Sequence, residues 1–361
     1  MQGKKVFVGL SGGVDSAVTL YKILQEFPNS KAIFMRNWSK DLPGFQCPWR
    51  EDWHDAQSVA LSLNSSIELW DFEKDYKDKV VDYLISEYKA GRTPNPDIIC
   101  NQEIKFKVFL DHALELRADK IATGHYARIQ QDEKGRFWLQ MANDETKDQS
   151  YFLARISQEA LSKSLFPLGD LKKSEVRELA TRLNLPVANK KDSVGICFVG
   201  EVGITDFLKN FLDLKPGSIV DIDTNKEIGQ HEGSELYTIG QRHGLDLKES
   251  AELPYYVVKK DTKQNIVYVS SDPNHKNSYT NQIKLSDIHF PTINPDELNQ
   301  YNNLSLRIRH LGKLEVIEST TEVINNELTA RLKENIKQPA SGQTGVIYTS
   351  DGLVLASGFI E

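Results

Sequence analysis

Six residues near the start of the chain, Ser11-Gly12-Gly13-Val14-Asp15-Ser16, and two widely separated cysteines, Cys100 and Cys197, have the types and spacing that suggest chemistry. The six follow an apolar run, Lys4-Lys5-Val6-Phe7-Val8-Gly9-Leu10, and precede apolar side chains at helical spacing: Val18, Leu20, Ile23, Leu24 and Phe27. That pattern predicts a buried parallel strand, a turn and a helix. Gly12 and Gly13 let the backbone turn tightly and bring N–H groups against a ligand. Ser11 and Ser16 add hydroxyl donors, and the helix start is positive. A phosphate is what such a turn holds. The Gly-Lys-Ser/Thr ending of a Walker A loop is absent, so its lysine and its magnesium-binding hydroxyl are missing. Asp15 is either a first-turn acid favouring the helix dipole or a carboxylate that helps hold a metal.

The thiols sit in contrasting contexts. Cys100 follows Arg92-Thr93-Pro94-Asn95-Pro96-Asp97-Ile98-Ile99, a stretch stiffened by prolines, and precedes Ile104, Phe106, Phe109 and Leu110 at helical spacing. It falls near a helix N-terminus, whose dipole favours a thiolate; a small buried hydrophobe at a turn is the alternative. Cys197 lies within Lys190-Lys191-Asp192-Ser193-Val194-Gly195-Ile196-Cys197-Phe198-Val199-Gly200. A flexible loop there suits a thiol that must swing, while Ile196 and Phe198 also suit a plain strand. Cys47 has no evident role. Met35 either leans on an adenine or belongs to the core. His125 is either a satisfied histidine at a strand end or a contact to a ligand phosphate.

The elements that position these groups follow from periodicity. Strands are predicted at Lys31–Trp38, Ile67–Trp70 and Lys120–Ala127, and helices at Glu51–Leu63, Tyr76–Tyr88 and 171–185. Strict alternation of strand and helix implies a doubly wound parallel α/β sheet, with ligands at the carboxyl ends of its strands. Beyond Gly200 the texture changes. Residues 201–252 read as a small central module and 253–361 as an antiparallel barrel or sandwich with strands including Tyr255–Lys259, Ile266–Ser270 and Ser305–Arg309. Residues 1–200 are expected to form one domain, the one that carries the phosphate-holding turn and all three cysteines. Arg307 and Arg309 share one strand face with His310 opposite, as a solvated charged face or a phosphate contact.

A chain of 361 residues is long enough for two or three domains. No apolar run reaches membrane-spanning length, and the N-terminus enters a strand without a signal or Arg-rich segment, so a cytoplasmic protein with no membrane partner is expected. Three cysteines without a CxxC or Cys/His pattern suggest free or catalytic thiols. The net charge of −7 neither advertises nor excludes nucleic-acid binding, because local basic patches make the phosphate contacts.

The Ser-Gly-Gly-Val-Asp-Ser turn between strand and helix resembles that of the PP-loop ATP pyrophosphatases. Together with Gly91-Arg92-Thr93-Pro94-Asn95-Pro96-Asp97, Cys100-Asn101, Ala122-Thr123-Gly124-His125-Tyr126, Lys147-Asp148-Gln149-Ser150-Tyr151, Gly195-Ile196-Cys197-Phe198 and Gly240-Gln241-Arg242, it makes nearly the whole chain similar to the bacterial-type tRNA-specific 2-thiouridylases. The resemblance implies ATP-dependent replacement of the C2 oxygen of a wobble uridine by sulfur, with ATP and Mg2+ as cofactors. It also implies tRNA as substrate and an upstream persulfide donor, a cysteine desulfurase or a sulfur-relay protein.

Carried over residue by residue, it assigns ATP to Gly9, Leu10, Ser11, Gly12, Gly13, Val14, Asp15, Ser16, Met35 and Gly124, with Asp15 also toward magnesium. Asn95, Pro96 and Asp97 meet the target base, and Asp97 manages a proton there. Cys197 receives the persulfide and Cys100 is its catalytic partner, the two ending as a disulfide. His125, Lys147, Asp148, Gln149, Arg309, His310 and Gln343 touch tRNA. The chain departs from the family pattern at Gln102, where lysine or arginine is common, at Leu10, where Met is frequent, and at His310, where an aromatic often follows the arginine. Other acceptors, as in amidotransferase-type PP-loop synthetases, leave the two cysteines without a role. A nucleotide-gated RNA-binding protein releases no pyrophosphate.

Overall fold

The computed structural model describes residues 3–41, 47–192, 203–247 and 254–361. Val6–Gly9, Lys31–Arg36, Ile67–Asp71, Lys120–Ala122 and Ser164–Leu165 form one parallel sheet. The first strand lies in the middle, with the second and third to one side and the last two to the other. Chain order therefore reverses between Val6–Gly9 and Lys120–Ala122, which opens a crevice at their carboxyl ends. Period-two alternation explains the layering: Val6, Val8, Ala32 and Phe34 pack into one core with the helix Val14–Glu26, while Phe7, Ile33 and Trp70 pack into the other with Tyr76, Ile104 and Phe109. The predicted doubly wound sheet is what the chain forms. Tyr76–Tyr88, expected as one helix, is α-helical at Glu73–Tyr76, wound with the wider i→i+5 turn at Lys77–Val81, and α-helical again at Asp82–Lys89.

The second sheet corrects the expected domain boundary. Its order is Asp246–Leu247, Lys226–His231, Gly217–Asp221, Ile266–Ser270 and Tyr256–Asp261. The last two strands, expected in the C-terminal domain, belong here because Ile266–Ser270 pairs in parallel with Gly217–Asp221. Ile219, Val257, Val267 and Val269 then share a small core with Tyr237. No local turn encodes a parallel pairing across so long a stretch of chain.

From Tyr279 onward six antiparallel strands close into a barrel: Tyr279–His289, Glu327–Lys337, Glu315–Thr320, Ser305–Arg307, Thr344–Tyr348 and Val354–Ile360, the last pairing back to the first. Closure leaves no unpaired edge, which decides between barrel and sandwich. The barrel docks on the α/β domain through polar contacts, most of them buried. Arg307 Nη1 donates to Asp148 Oδ2 at 2.6 Å, Tyr151 Oη donates to the Thr344 carbonyl at 2.8 Å, and Arg155 Nη2 donates to Asp287 Oδ2 at 2.7 Å. Arg307 is thus a buried interdomain residue. The strand ends there, so Arg309 does not share its face and lies exposed in the following turn. No described helix is long and apolar enough to cross a membrane.

Candidate active site

At the carboxyl end of Val6–Gly9 the chain turns through Leu10 to Gly13 and enters the helix Val14–Glu26. Gly12 has φ +76°, a region that L side chains rarely adopt, and a Cβ there would collide with the Asp52 carbonyl. Ser16 Oγ donates to the Gly13 carbonyl at 3.0 Å and accepts from the Ser11 N–H at 3.1 Å, so the turn is locked from within. Gly9 lies close enough to Met35 that a Cβ would meet its Cε at 3.0 Å. Met35 is half-buried at its strand end, between the core and the crevice. A Cβ on Gly124 would lie 2.9 Å from the backbone of Asp15 and Ser16. The structure therefore brings Gly9, Ser11, Gly12, Gly13, Asp15, Ser16, Met35 and Gly124 to one crevice.

Asp15 is held more firmly than its position suggested. Lys173 Nζ donates to both carboxylate oxygens at 2.7 and 2.8 Å, and Tyr126 Oη donates to Oδ1 at 2.8 Å. Lys173 also reaches Asp192 at 2.8 Å, which Lys147 contacts at 3.1 Å and Arg177 at 2.5 Å. Burial pulls on the Asp192 carboxyl in one direction, but its lysine partners prevail and hold it down at about 2. Nothing in the sequence marked Lys173 beyond its place at a helix start.

Cys100 lies in a helix that starts at Pro96, capped by Asn95, whose Oδ1 accepts from the Asp97 N–H at 3.1 Å. From Cys100 to Val108 it is wound with i→i+5 hydrogen bonds. Its place near a helix N-terminus is as predicted, and of the two readings left open for it the structure has the buried one. Burial pushes the Cys100 thiol up to about 11, with Lys105 opposing and Asp97 adding to the shift, so at neutral pH the sulfur carries its proton. A dipole effect confined to the first turn does not offset the loss of solvation. Burial lifts the Asp97 carboxyl as well, again with Lys105 opposing.

His125 joins the two regions. Its Nδ1 lies 2.7 Å from Thr123 Oγ1 and its Nε2 3.5 Å from Lys105 Nζ. Burial drives its pKa well below the usual value, with Lys105 acting in the same direction. An ammonium only donates, so Nε2 accepts and Nδ1 carries the proton. Gly124 thus abuts the turn that follows the first strand while its neighbour His125 meets the thiol-bearing helix. Cys197 and the glycines around it lie outside the described residues.

The three domains meet beside Asn95. The Thr93 N–H donates to the Ser341 carbonyl at 2.7 Å, Gln343 Nε2 donates to the Thr93 carbonyl at 2.6 Å, and the hydroxyls of Thr93 and Thr238 are 3.3 Å apart. Pro96 is buried; Asn95, Asp97 and Gln343 are half-buried. Asp148 requires correction as a tRNA contact. It is fully buried, and its oxygens accept from the N–H groups of Ala142 and Ser150, the Ser150 hydroxyl and Arg307. It fixes the segment that carries Lys147 and Gln149, whose Oε1 accepts from the Tyr126 N–H at 3.0 Å. Arg309 is exposed, and the His310 ring lies 4.3 Å from that of Phe152, burial lowering its pKa. Phe152 in turn accepts from Asn101 Nδ2 through its carbonyl at 3.1 Å. Gln102 has a structural role: its Oε1 accepts from Arg155 Nε at 2.7 Å, where a cationic side chain would face another cation.

A family model described as "tRNA methyl transferase HUP domain" matches residues 4–201, and one described as "tRNA methyl transferase PRC-barrel domain" matches residues 205–271. The second range ends where the central sheet ends. A protein of Cupriavidus necator named tRNA-specific 2-thiouridylase is 42% identical over 99% of this chain and 99% of its own length. Proteins of the same name from Mycoplasma mycoides and Staphylococcus aureus are 42% and 41% identical, over 96% of this chain and 96% and 92% of theirs. The domain descriptions speak of methyl transfer and the full-length relatives of thiolation. Identity at this level across all three domains shows that the chain belongs to the family of the tRNA-specific 2-thiouridylases.

Proposed function

We propose that the chain is an ATP-dependent tRNA-uridine sulfurtransferase that converts the C2 oxygen of a wobble uridine to sulfur. The observation that carries this is the adjacency of Gly124 and His125, one against the nucleotide turn and the other against the helix bearing Asp97 and Cys100. A phosphate-holding turn and a sulfur-bearing helix serve one reaction if the same pocket first activates and then substitutes a base.

An amide-like C2 carbonyl is a poor electrophile with a poor leaving oxygen. In the proposed sequence the uracil O2 attacks the α-phosphorus of ATP, pyrophosphate departs, and the oxygen becomes part of AMP. The Ser11–Ser16 turn, its helix N-terminus and Gly124 hold the triphosphate. No group of three or more His, Cys, Asp or Glu fit to hold a metal occurs among the described residues. Magnesium bound largely by phosphate oxygens needs only one or two carboxylates, and Asp15, about a third exposed at its side chain, fits that role. When bound, magnesium neutralises charge developing on pyrophosphate.

A persulfide on Cys197 then supplies the sulfur. The outer sulfur forms the new bond to C2 and AMP leaves with the original oxygen. Cys100 attacks the inner sulfur, the S–S bond of the persulfide breaks, and a Cys100–Cys197 disulfide forms that an external dithiol reduces. Asp97 handles the proton at the base. The base must leave the anticodon stack, which a single-stranded loop permits. Asn95, Asp97, Lys147, Gln149, Arg309, His310 and Gln343 form the proposed tRNA face.

Incubation of tRNA with the protein, ATP, magnesium and a persulfide source, followed by mass spectrometry of nucleosides, tests the proposal. Formation of 2-thiouridine dependent on ATP and lost in Cys197→Ser is expected. Substantial residual thiolation in that variant would overturn the assigned role of Cys197.

A further inference from the structure

The winding of the thiol-bearing helix places one residue that neither the motifs nor the proposed chemistry account for. In an α-helix, residues five apart point about 140° away from each other. Between Cys100 and Val108 the hydrogen bonds run i→i+5, and this wider turn brings Lys105 back toward the side that bears Cys100. Immediately afterward the helix breaks its regular geometry at Phe106, with φ −107° and ψ 16°. The Phe106 ring lies 5.7 Å from His125, and Phe166 lies 5.9 Å from it on another side. The imidazole is thereby walled in, and the Lys105 ammonium rests on it at 3.5 Å. A cation is parked on a neutral ring, on the helix that carries a buried thiol, and among the described residues no carboxylate pairs with it.

We propose that Lys105 is a positioning residue for sulfur transfer: its ammonium is the counter-charge that allows the buried Cys100 to exist as a thiolate. The proposal rests on the reading of Cys100 as the thiol that attacks a persulfide. The Cys100 proton leaves to water and Lys105 keeps its three protons. The thiolate then forms a bond to the inner sulfur of the persulfide, and the S–S bond breaks with its electron pair on the outer sulfur. The charges acting on Cys100 are Lys105 and, in the opposite sense, Asp97 from its own helix. His125, facing from the strand end, is uncharged. Resting on a neutral imidazole, with no ion pair among the described residues, Lys105 can serve the sulfur without first giving up a carboxylate.

The test uses the full chain carrying Cys47→Ser and Cys197→Ser, in which Cys100 is the one thiol left of three. Its alkylation by iodoacetamide is followed by mass across the neutral and alkaline range. Lys105→Met should slow alkylation at neutral pH about tenfold and move the titration upward by about one unit; Lys105→Arg should keep the parent profile. Asp97→Asn should move it downward. Local unfolding exposes the thiol and speeds alkylation, so a slower reaction is not explained by misfolding, and Lys105→Gln serves as a second neutral variant. Profiles of Lys105→Met and Lys105→Gln that superimpose on the parent, or that run faster, overturn the proposal. Alkylation requires no thiolation, so persistence of activity in Cys197→Ser would sink the sulfur-transfer reading separately from this one.

Discussion

The nucleotide turn and the thiol helix meet at Gly124 and His125, yet they are built on opposite principles. The turn is open and polar, with a partly exposed carboxylate on Asp15 already held by Lys173 and Tyr126. The helix is buried around its thiol: Cys100 and His125 are neutral and Asp97 is pushed toward its protonated form. A phosphate site gains from donors fixed in advance, because reorganising dipoles around a charge is costly. A sulfur nucleophile gains from staying protonated until its partner arrives, since a thiol at about 11 is inert toward stray electrophiles. One side is ready before the substrate comes, and the other is held in reserve.

The sharpest way to break this contrast is at the residue between the two regions. Gly124→Val sets carbon against the backbone of Asp15 and Ser16, and pyrophosphate release should fall by on the order of a thousandfold while the fold survives. A valine variant with normal release would separate the crevice from the strand end.

The clamp behind the helix comes next. Arg307→Met leaves the fully buried Asp148 without its cation and should destabilise the protein by about 3–5 kcal/mol in denaturant unfolding. Asp148→Asn combined with Arg307→Met should recover much of that loss. The quiet state of the thiol is directly measurable: in the native protein Cys100 should react with iodoacetamide more than about a hundredfold slower than a free cysteine at neutral pH. An equal rate would mean that burial does not govern it.

The smallest effect is on stability against pH. His125, His289 and His310 all have pKa values lowered by burial in the folded state. Below about 6.5 the unfolded chain takes up protons that these rings refuse, so stability is full above that pH and declines as pH falls through it. A thermal midpoint that drops from neutral toward mildly acid pH, less steeply in His125→Gln, is expected. A flat profile would show that these rings protonate in place.

The sequence alone determined the phosphate-holding turn, the parallel sheet around it and the helix start before Cys100. Glycines at positions a Cβ would fill, period-two apolar strands and an Asn-Pro cap are local features, so the residues themselves encode them. The wider turn at Cys100–Val108, the Lys173 pairing with Asp15 and the burial of Asp148 under Arg307 were not legible. The last two depend on residues far away in the chain, as does the assignment of Ile266–Ser270 to the central sheet. The two arginines show the difference: Arg307 and Arg309 look alike in sequence, but only packing decides that one is buried on Asp148 and the other meets solvent. The cost of stripping water from a charge or a thiol is set by what surrounds it in space, and that is decided only when the domains close on one another.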